Sequence, residues 1–163
     1  MARNAYWTNQ DGLVVGFGTR TITKNAGAKI AKGGAVEQMV VEVDLATLAD
    51  AVATTDDAVV MGAHIPAGAL LQSATLIVDV AAVGASAVLD IGTYDLDGAE
   101  IDDDGIDAAV ATASLTAGAV IACDGALVGT VLAANSRIGL SYDTAAFTAG
   151  TATLVVEFIP ERV

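Results

Sequence analysis

The chain is poor in the side chains on which most enzymes and metal sites depend. It has one cysteine, Cys123, and one histidine, His64, in 163 residues. A single thiol excludes an internal disulfide framework and a thiolate metal cluster. Cys123 lies in an Ala-rich stretch and reads as a small core residue rather than a reactive thiol. His64 stands between Ala63 and Ile65 beside a turn, a place for a strand-end imidazole rather than a general base. No Ser or Cys forms a recognisable nucleophile pattern with it. Gly16-Phe17-Gly18 lacks the third glycine and following helix of a dinucleotide site, and there is no P-loop. Zinc would find too few ligands. The chain is therefore expected not to be an enzyme and to need no cofactor.

Proline and aromatics are also scarce, at two and seven residues. The aromatics are too few for the girdles of an outer-membrane barrel or the platforms of a glycosidase. The longest stretch without Asp, Glu, Lys or Arg runs over residues 58–78, but His64, Pro66, Gly68, Gln72 and Ser73 interrupt it. A bilayer-spanning helix would have to carry all of them, so no membrane partner is expected. The first ten residues hold no apolar core of a secretion signal, and export by that route is not expected. The apolar content of 54%, rich in Ala and Val and punctuated by 17 Gly, is not a disordered composition.

Positive charge is scarce overall and unevenly placed. The net charge is −13. Arg3, Arg20, Lys24, Lys29 and Lys32 precede residue 37 against a single acid, Asp11, for a net of +4. The rest holds Arg137 and Arg162 against 19 acids, for a net of −17. The asymmetry divides the chain into a basic, Gly-rich N-terminal arm, residues 1–36, and an acidic body, residues 37–163. A diffusely acidic body repels phosphate backbones, so nucleic acid is not an expected partner. Within the arm, Tyr6 and Trp7 are large aromatics near a terminus, and Leu13-Val14-Val15 is a short strand-like run. The arm is expected to order against a neighbouring subunit, with Arg3, Tyr6, Trp7, Leu13, Val15, Phe17 and Arg20 as its contact residues.

The body reads as short strands. Residues 37–45 alternate, placing Met39, Val41, Val43 and Leu45 on one face. Residues 58–65 follow, then a Pro66-Ala67-Gly68 turn. Residues 74–80 put Ala74, Leu76, Val78 and Val80 inward. Gly84-Ala85-Ser86 reads as a hairpin turn into a partner strand over 87–94. Further strands are expected over 119–122, 126–132, 137–142 and 153–159, the last aligning Leu154, Val156 and Phe158. Helical spacing suggests two short helices, one through Leu45, Leu48, Ala49 and Val52 and one over 106–113. The pattern indicates an all-β fold, a β-sandwich that includes the jelly roll among its forms, with an extended N-terminal arm and one or two short helices.

One constellation is dense. Residues 95–107 hold seven carboxylates in thirteen residues, expected as a solvated acidic loop. Ca²⁺ is the alternative, with Asp95, Asp97, Glu100, Asp102 and Asp104 as candidate ligands, since hard cations favour oxygen donors on Gly-kinked loops. No EF-hand register fits, because a frame that starts at Glu100 ends at Ala111.

Four stretches carry a family resemblance: Asp11-Gly12-Leu13-Val14-Val15-Gly16-Phe17-Gly18-Thr19-Arg20, Ile65-Pro66-Ala67-Gly68-Ala69, Leu89-Asp90-Ile91-Gly92-Thr93-Tyr94, and Asp104-Gly105-Ile106-Asp107. Together they resemble virion proteins of tailed bacteriophages, in particular capsid decoration (cement) proteins. The resemblance implies a small β-rich homotrimer on the capsid exterior, made in the host cytoplasm, with the major capsid protein as its partner and a shell-stabilising role. The reading from another class is a carbohydrate-binding β-sandwich, an adhesin module or a phage fibre or tail component. Tyr94, Tyr142 and Phe147 are its candidate sugar-facing aromatics. A bacterial surface or microcompartment-like subunit would differ mainly in its partner.

Overall fold

The computed structural model describes residues 5–8, 14–17, 29–33, 35–50 and 59–161, with side chains over 35–48 and 63–161. Among the described residues twelve strands run in chain order: β1 Ala5–Thr8, β2 Val14–Phe17, β3 Lys29–Gly33, β4 Val36–Asp44, β5 Ala49–Asp50, β6 Val59–Ile65, β7 Leu70–Val83, β8 Val88–Tyr94, β9 Glu100–Ala111, β10 Val120–Ala122, β11 Ser136–Asp143 and β12 Ala149–Ile159.

Two sheets face each other. The first has the order β10-β7-β12-β4, with β3 added at its edge; the second has the order β6-β11-β8-β9, with the short β5 parallel to β11. Counted through the eight main antiparallel strands, these orders are 6-3-8-1 and 2-7-4-5. That double Greek key is the jelly roll.

Period-2 patterning builds the first sheet. On β4, Met39, Val41 and Val43 are buried while Glu42 is exposed. On β12, Ala152, Leu154, Val156 and Phe158 are all fully buried. Register stacks them in rows: Val43–Ala152–Val78, Val41–Leu154–Leu76 and Met39–Val156–Ala74. The second sheet supplies Leu89, Ile91, Ile106, Ile138 and Leu140, each with no exposed surface. Adjacent rows from the two inner faces make one continuous core.

Several local expectations change. β7 does not form a hairpin with β8. Both edges of β7 are taken, by β12 and β10, so Gly84–Ser86 carries the chain across to the other sheet. Val80 does not point inward. A register shift at Thr151/Ala152 inserts an extra residue, and such a bulge reverses the alternation beyond it; Val80 is 53% exposed. Residues 126–132 form turns rather than a strand. Val128 and Thr130 donate to Gly125 and Leu127, and Gly129 takes φ +82°, which ends extended structure. The segment closes one side of the sandwich: Leu127 N donates to Gly105 O of β9 at 2.7 Å and Leu71 N of β7 to Thr130 O at 2.9 Å.

Both helical spacings resolve into single 3₁₀ turns, Leu45–Thr47 and Thr112–Ser114. Ala49 belongs instead to β5, Ile106–Ala111 to β9, and Val52 lies outside the described residues.

Candidate functional site

Strands β8 and β9 of the second sheet carry most of the chain's unusual chemistry. The acidic run is not a free loop beyond Ala99, because β9 begins at Glu100. Its first part is a tight turn: Asp95 Oδ1 accepts from the backbone N–H groups of Asp97 and Ala99, both at 2.8 Å. Asp97 and Glu100 are exposed.

Along β9 the register slips three times, the slip nearest the start of β9 setting Tyr94 opposite Glu100 where Thr93 faces Asp102. Leu89 faces Val110 and Ile91 faces Asp107, so two steps on β8 meet three on β9. Thr93 then faces Asp102, so the next two steps meet five. The residues bulged out between Asp102 and Asp107 hold Asp103 and Asp104. The bulge takes them off the straight ladder.

Of the five Ca²⁺ candidates, the fold brings Asp102 and Asp104 together, with Asp103 as the third member; their ligand oxygens lie within 4.8 Å of one another. Asp95 is engaged with its own turn, and Asp97 and Glu100 are not in that group.

Three carboxyls on or beside this bulged ladder are held above the usual carboxylate range. For Asp90 burial is the main cause, opposed by the Ala109 N–H that donates to its Oδ1 at 2.7 Å, and reinforced by the charges of Asp103, Asp143 and Asp104. Asp102 is raised by burial, then by its hydrogen bond with the Asp104 carboxyl and by the charges of Asp104 and Asp103. Asp107, 6% exposed, is raised by burial and partly relieved by the Cys123 thiol, which donates to it. Burial and that carboxylate together push the Cys123 thiol up to about 12, which keeps it protonated and unreactive near neutral pH.

Tyr94 completes the surface. Its ring lies over Gly139 of β11, where a Cβ would overlap it, and only 2% of the residue is exposed. Burial, partly offset by the Ser141 hydroxyl, pushes its phenol up to about 12.

These shifts carry a sign. A carboxyl that binds its proton more tightly folded than unfolded costs stability at neutral pH, and the cost is relieved as pH falls through the folded value toward 3.8. Melting temperature should therefore rise as pH is lowered from neutrality toward 3.8, as read by thermal denaturation in low-salt buffer. A flat or falling profile over that interval would show that these three carboxyls do not titrate as their surroundings require.

At one end of the sandwich, where the Gly84–Ser86 crossover meets the end of β9, lies an open groove of about 460 Å³ walled by small side chains: Gly84, Ala87, Val88, Ala111 and Ala113. Val83 precedes it and is 54% exposed.

Among the candidate contact residues of the arm, Tyr6 and Trp7 lie on β1 and Val15 and Phe17 on β2, two strands that pair antiparallel with Trp7 opposite Val15. Arg3, Leu13 and Arg20 lie outside the described residues. Of the candidate sugar-facing aromatics, Tyr94 and Phe147 are buried, 2% and 3% exposed, and Tyr142 is half-buried. His64 is exposed at the end of β6. Among the described residues no helix is long and apolar enough to cross a membrane.

A chain of the solved capsid of Ralstonia phage GP4 has a similar fold: TM-score 0.52 at 18% identity, over 80% of this chain and 87% of that one. A chain of the cyanophage Pam1 capsid asymmetric unit is similar with TM-score 0.48 at 18% identity, over 88% of this chain and 93% of that one. The likeness to the GP4 capsid chain is one of fold. No family model and no curated protein matches the sequence.

Sequence reasoning missed Asp90, Asp103, Asp107 and the groove. The first three are ordinary acids in the sequence, and only the bulged register of β8 against β9 sets them apart. The groove arises where residues 84–88 and 111–113 meet, which no local pattern announces.

Proposed function

We propose that this chain is a structural subunit of a phage particle. It attaches to the outer surface of the capsid as a decoration (cement) protein, with the major capsid protein as partner and three copies to a unit. The observation that supports this reading is the jelly-roll fold shared with a chain of the GP4 capsid over most of both chains. Fold by itself does not assign function, but the surface agrees. The burial of Tyr94 and Phe147 removes two of the three aromatics on which the carbohydrate reading leaned. The basic segment, residues 1–36, ahead of the acidic body, residues 37–163, supplies the contact with neighbouring subunits, and the acidic ladder of β9 faces solvent.

The test compares full-length protein with a form lacking residues 1–10, each mixed with undecorated capsids and sedimented. Full-length protein should sediment with the shells and scatter light at about three times the 16.2 kDa chain mass. The truncated form should keep the melting temperature but bind at least about tenfold more weakly, since aromatic anchors dominate interface energetics. Full-length protein left in the supernatant, or glycan binding by the isolated domain, overturns the shell reading. Normal binding by the truncated form overturns the role of the arm.

A further inference from the structure

Two observations meet at the bulged part of β9. The first is the carboxylate cluster of Asp102, Asp103 and Asp104, whose ligand oxygens lie within 4.8 Å of one another. Gly105 makes room for it, since an added Cβ there would overlap the Asp102 carboxyl, which lies back along its own strand. The charges that act on Asp102 are those of Asp104 and Asp103. The only Lys or Arg with a described side chain is Arg137, on β11, and β8 separates it from β9. Among the described residues, then, three acids are held together with no protein cation between them.

The second observation is independent of charge. Thr93 has no exposed surface, and its Oγ1 is buried without a hydrogen-bond partner. A buried hydroxyl left unsatisfied costs stability, and in native folds such an atom calls for a water or an ion. Ladder partners share a face, with their Cβ atoms about 5 Å apart. Those of Thr93 are Ile138 on β11 and Asp102 on β9. Ile138 offers only carbon, so the Thr93 hydroxyl is set against Asp102 and the acids beside it.

We propose that Asp102, Asp103 and Asp104 bind one Ca²⁺ ion, with the Thr93 hydroxyl closing the site from the β8 side. Hard cations take oxygen donors, and Ca²⁺ accepts roughly six to eight of them at about 2.3–2.6 Å. Oxygens on opposite sides of such an ion stand about 5 Å apart, so the spread of the three carboxylates suits it. Mg²⁺ demands near-octahedral geometry and gives up its water reluctantly, which three successive residues on a bulge do not meet. The ion offsets the mutual repulsion of the acids and fastens the bulged part of β9 to β8.

The test uses the full chain, stripped of metal with a chelator and kept at neutral pH and fixed ionic strength. Ca²⁺ at about ten times its dissociation constant should raise the melting temperature by about 3–6 °C, and Mg²⁺ at the same concentration by less than half of that. Calorimetric titration should count one ion per chain. Asp103→Asn and Asp104→Asn should each melt at or above the parent in chelator, because one repelling charge is gone, and should lose most of the Ca²⁺ shift. Asp97→Asn, an acid outside the cluster, should keep the full shift. Thr93→Val keeps the shape and removes the hydroxyl. It should be at least as stable as the parent in chelator and bind Ca²⁺ at least about fivefold more weakly. Three results overturn the proposal. One is a melting temperature that Ca²⁺ leaves unchanged up to about 5 mM, the weak end of protein sites. Another is equal shifts with Ca²⁺ and Mg²⁺ that both cluster variants retain, or several ions bound per chain, either of which is charge screening alone. The third is a Thr93→Val protein that binds Ca²⁺ as the parent does, which removes the hydroxyl on which the site stands. None of these readings uses capsids, so they fail or succeed apart from the shell assignment.

Discussion

Gly92→Ala should lower stability by about 3 kcal/mol or more, which in a chain of this length is roughly 10 °C in melting temperature. Gly92 is buried on β8, and a Cβ there would overlap the carbonyl oxygen of Asp102 and the carbonyl group of Asp103. Those are backbone atoms of the bulged part of β9, so no side-chain rotation relieves the collision. The acidic segment would have to lift from the sheet, which would also expose the ring of Tyr94 and loosen the ladder that holds Asp90. Gly118→Ala is the control. Gly118 has a left-handed φ of +81° but nothing within 4 Å of its added Cβ, so it should cost only about 1 kcal/mol of backbone strain. Thermal and denaturant unfolding of both variants measures the difference. A Gly92→Ala protein as stable as the parent would mean that β9 does not lie against β8 in this register.

The sequence carried some parts of this fold plainly and hid others for physical reasons. Alternation on β4, β11 and β12 was legible because each has one face in the core, and Met39, Val41, Val43, Leu154, Val156 and Phe158 are all buried as that pattern requires. The sandwich followed from the number of such strands, with the jelly roll as one of its forms; the strand order that makes it a jelly roll did not. The pairing of β7 with β10 and β12 rather than with β8 did not, because it depends on which edges remain free after distant strands have paired. Leu45, Leu48 and Ala49 satisfy helical spacing, yet Asp44 Oδ1 accepts from Ala46 N and closes a single 3₁₀ turn, after which Ala49 and Asp50 pair with β11.

The acidic run was hidden in another way. Seven carboxylates with Gly98 and Gly105 look like a solvated loop, because like charges on a regular ladder repel. Bulges keep Glu100–Ala111 in the sheet with Asp103 and Asp104 off the straight ladder, and the remaining crowding shows in the raised Asp102 carboxyl. Bulges reverse faces without changing composition, so the residues gathered along β8 and β9 could not be sorted from the neighbouring acids by spacing.

Phe158→Ala should cost about 3–5 kcal/mol, the range for deleting a fully buried aromatic side chain from a packed interior. Phe158 has no exposed surface and is among the largest fully buried side chains. It lies on β12, the strand that joins β7 to β4 at the centre of the first sheet, with Leu71 and Glu37 as its ladder partners. The neighbouring strands cannot collapse into the space without breaking those ladders, so most of the cavity should persist. Against a total stability of about 5–15 kcal/mol for a domain, the loss is a large fraction. Val155→Ala is the matched comparison, on the opposite face of the same strand and half-buried; it should cost about 1 kcal/mol, less than the burial of a full side chain. The two variants also separate folding from attachment. Phe158→Ala should lower the melting temperature, and its shell binding should recover on cooling, where the folded population recovers. Deleting residues 1–10 should weaken binding at every temperature with the melting temperature unchanged. Denaturant titration of the two point variants, with sedimentation against shells at two temperatures, tests the whole set. Equal losses at Phe158 and Val155 would reverse the inner and outer faces assigned to β12 and with them the placement of the core.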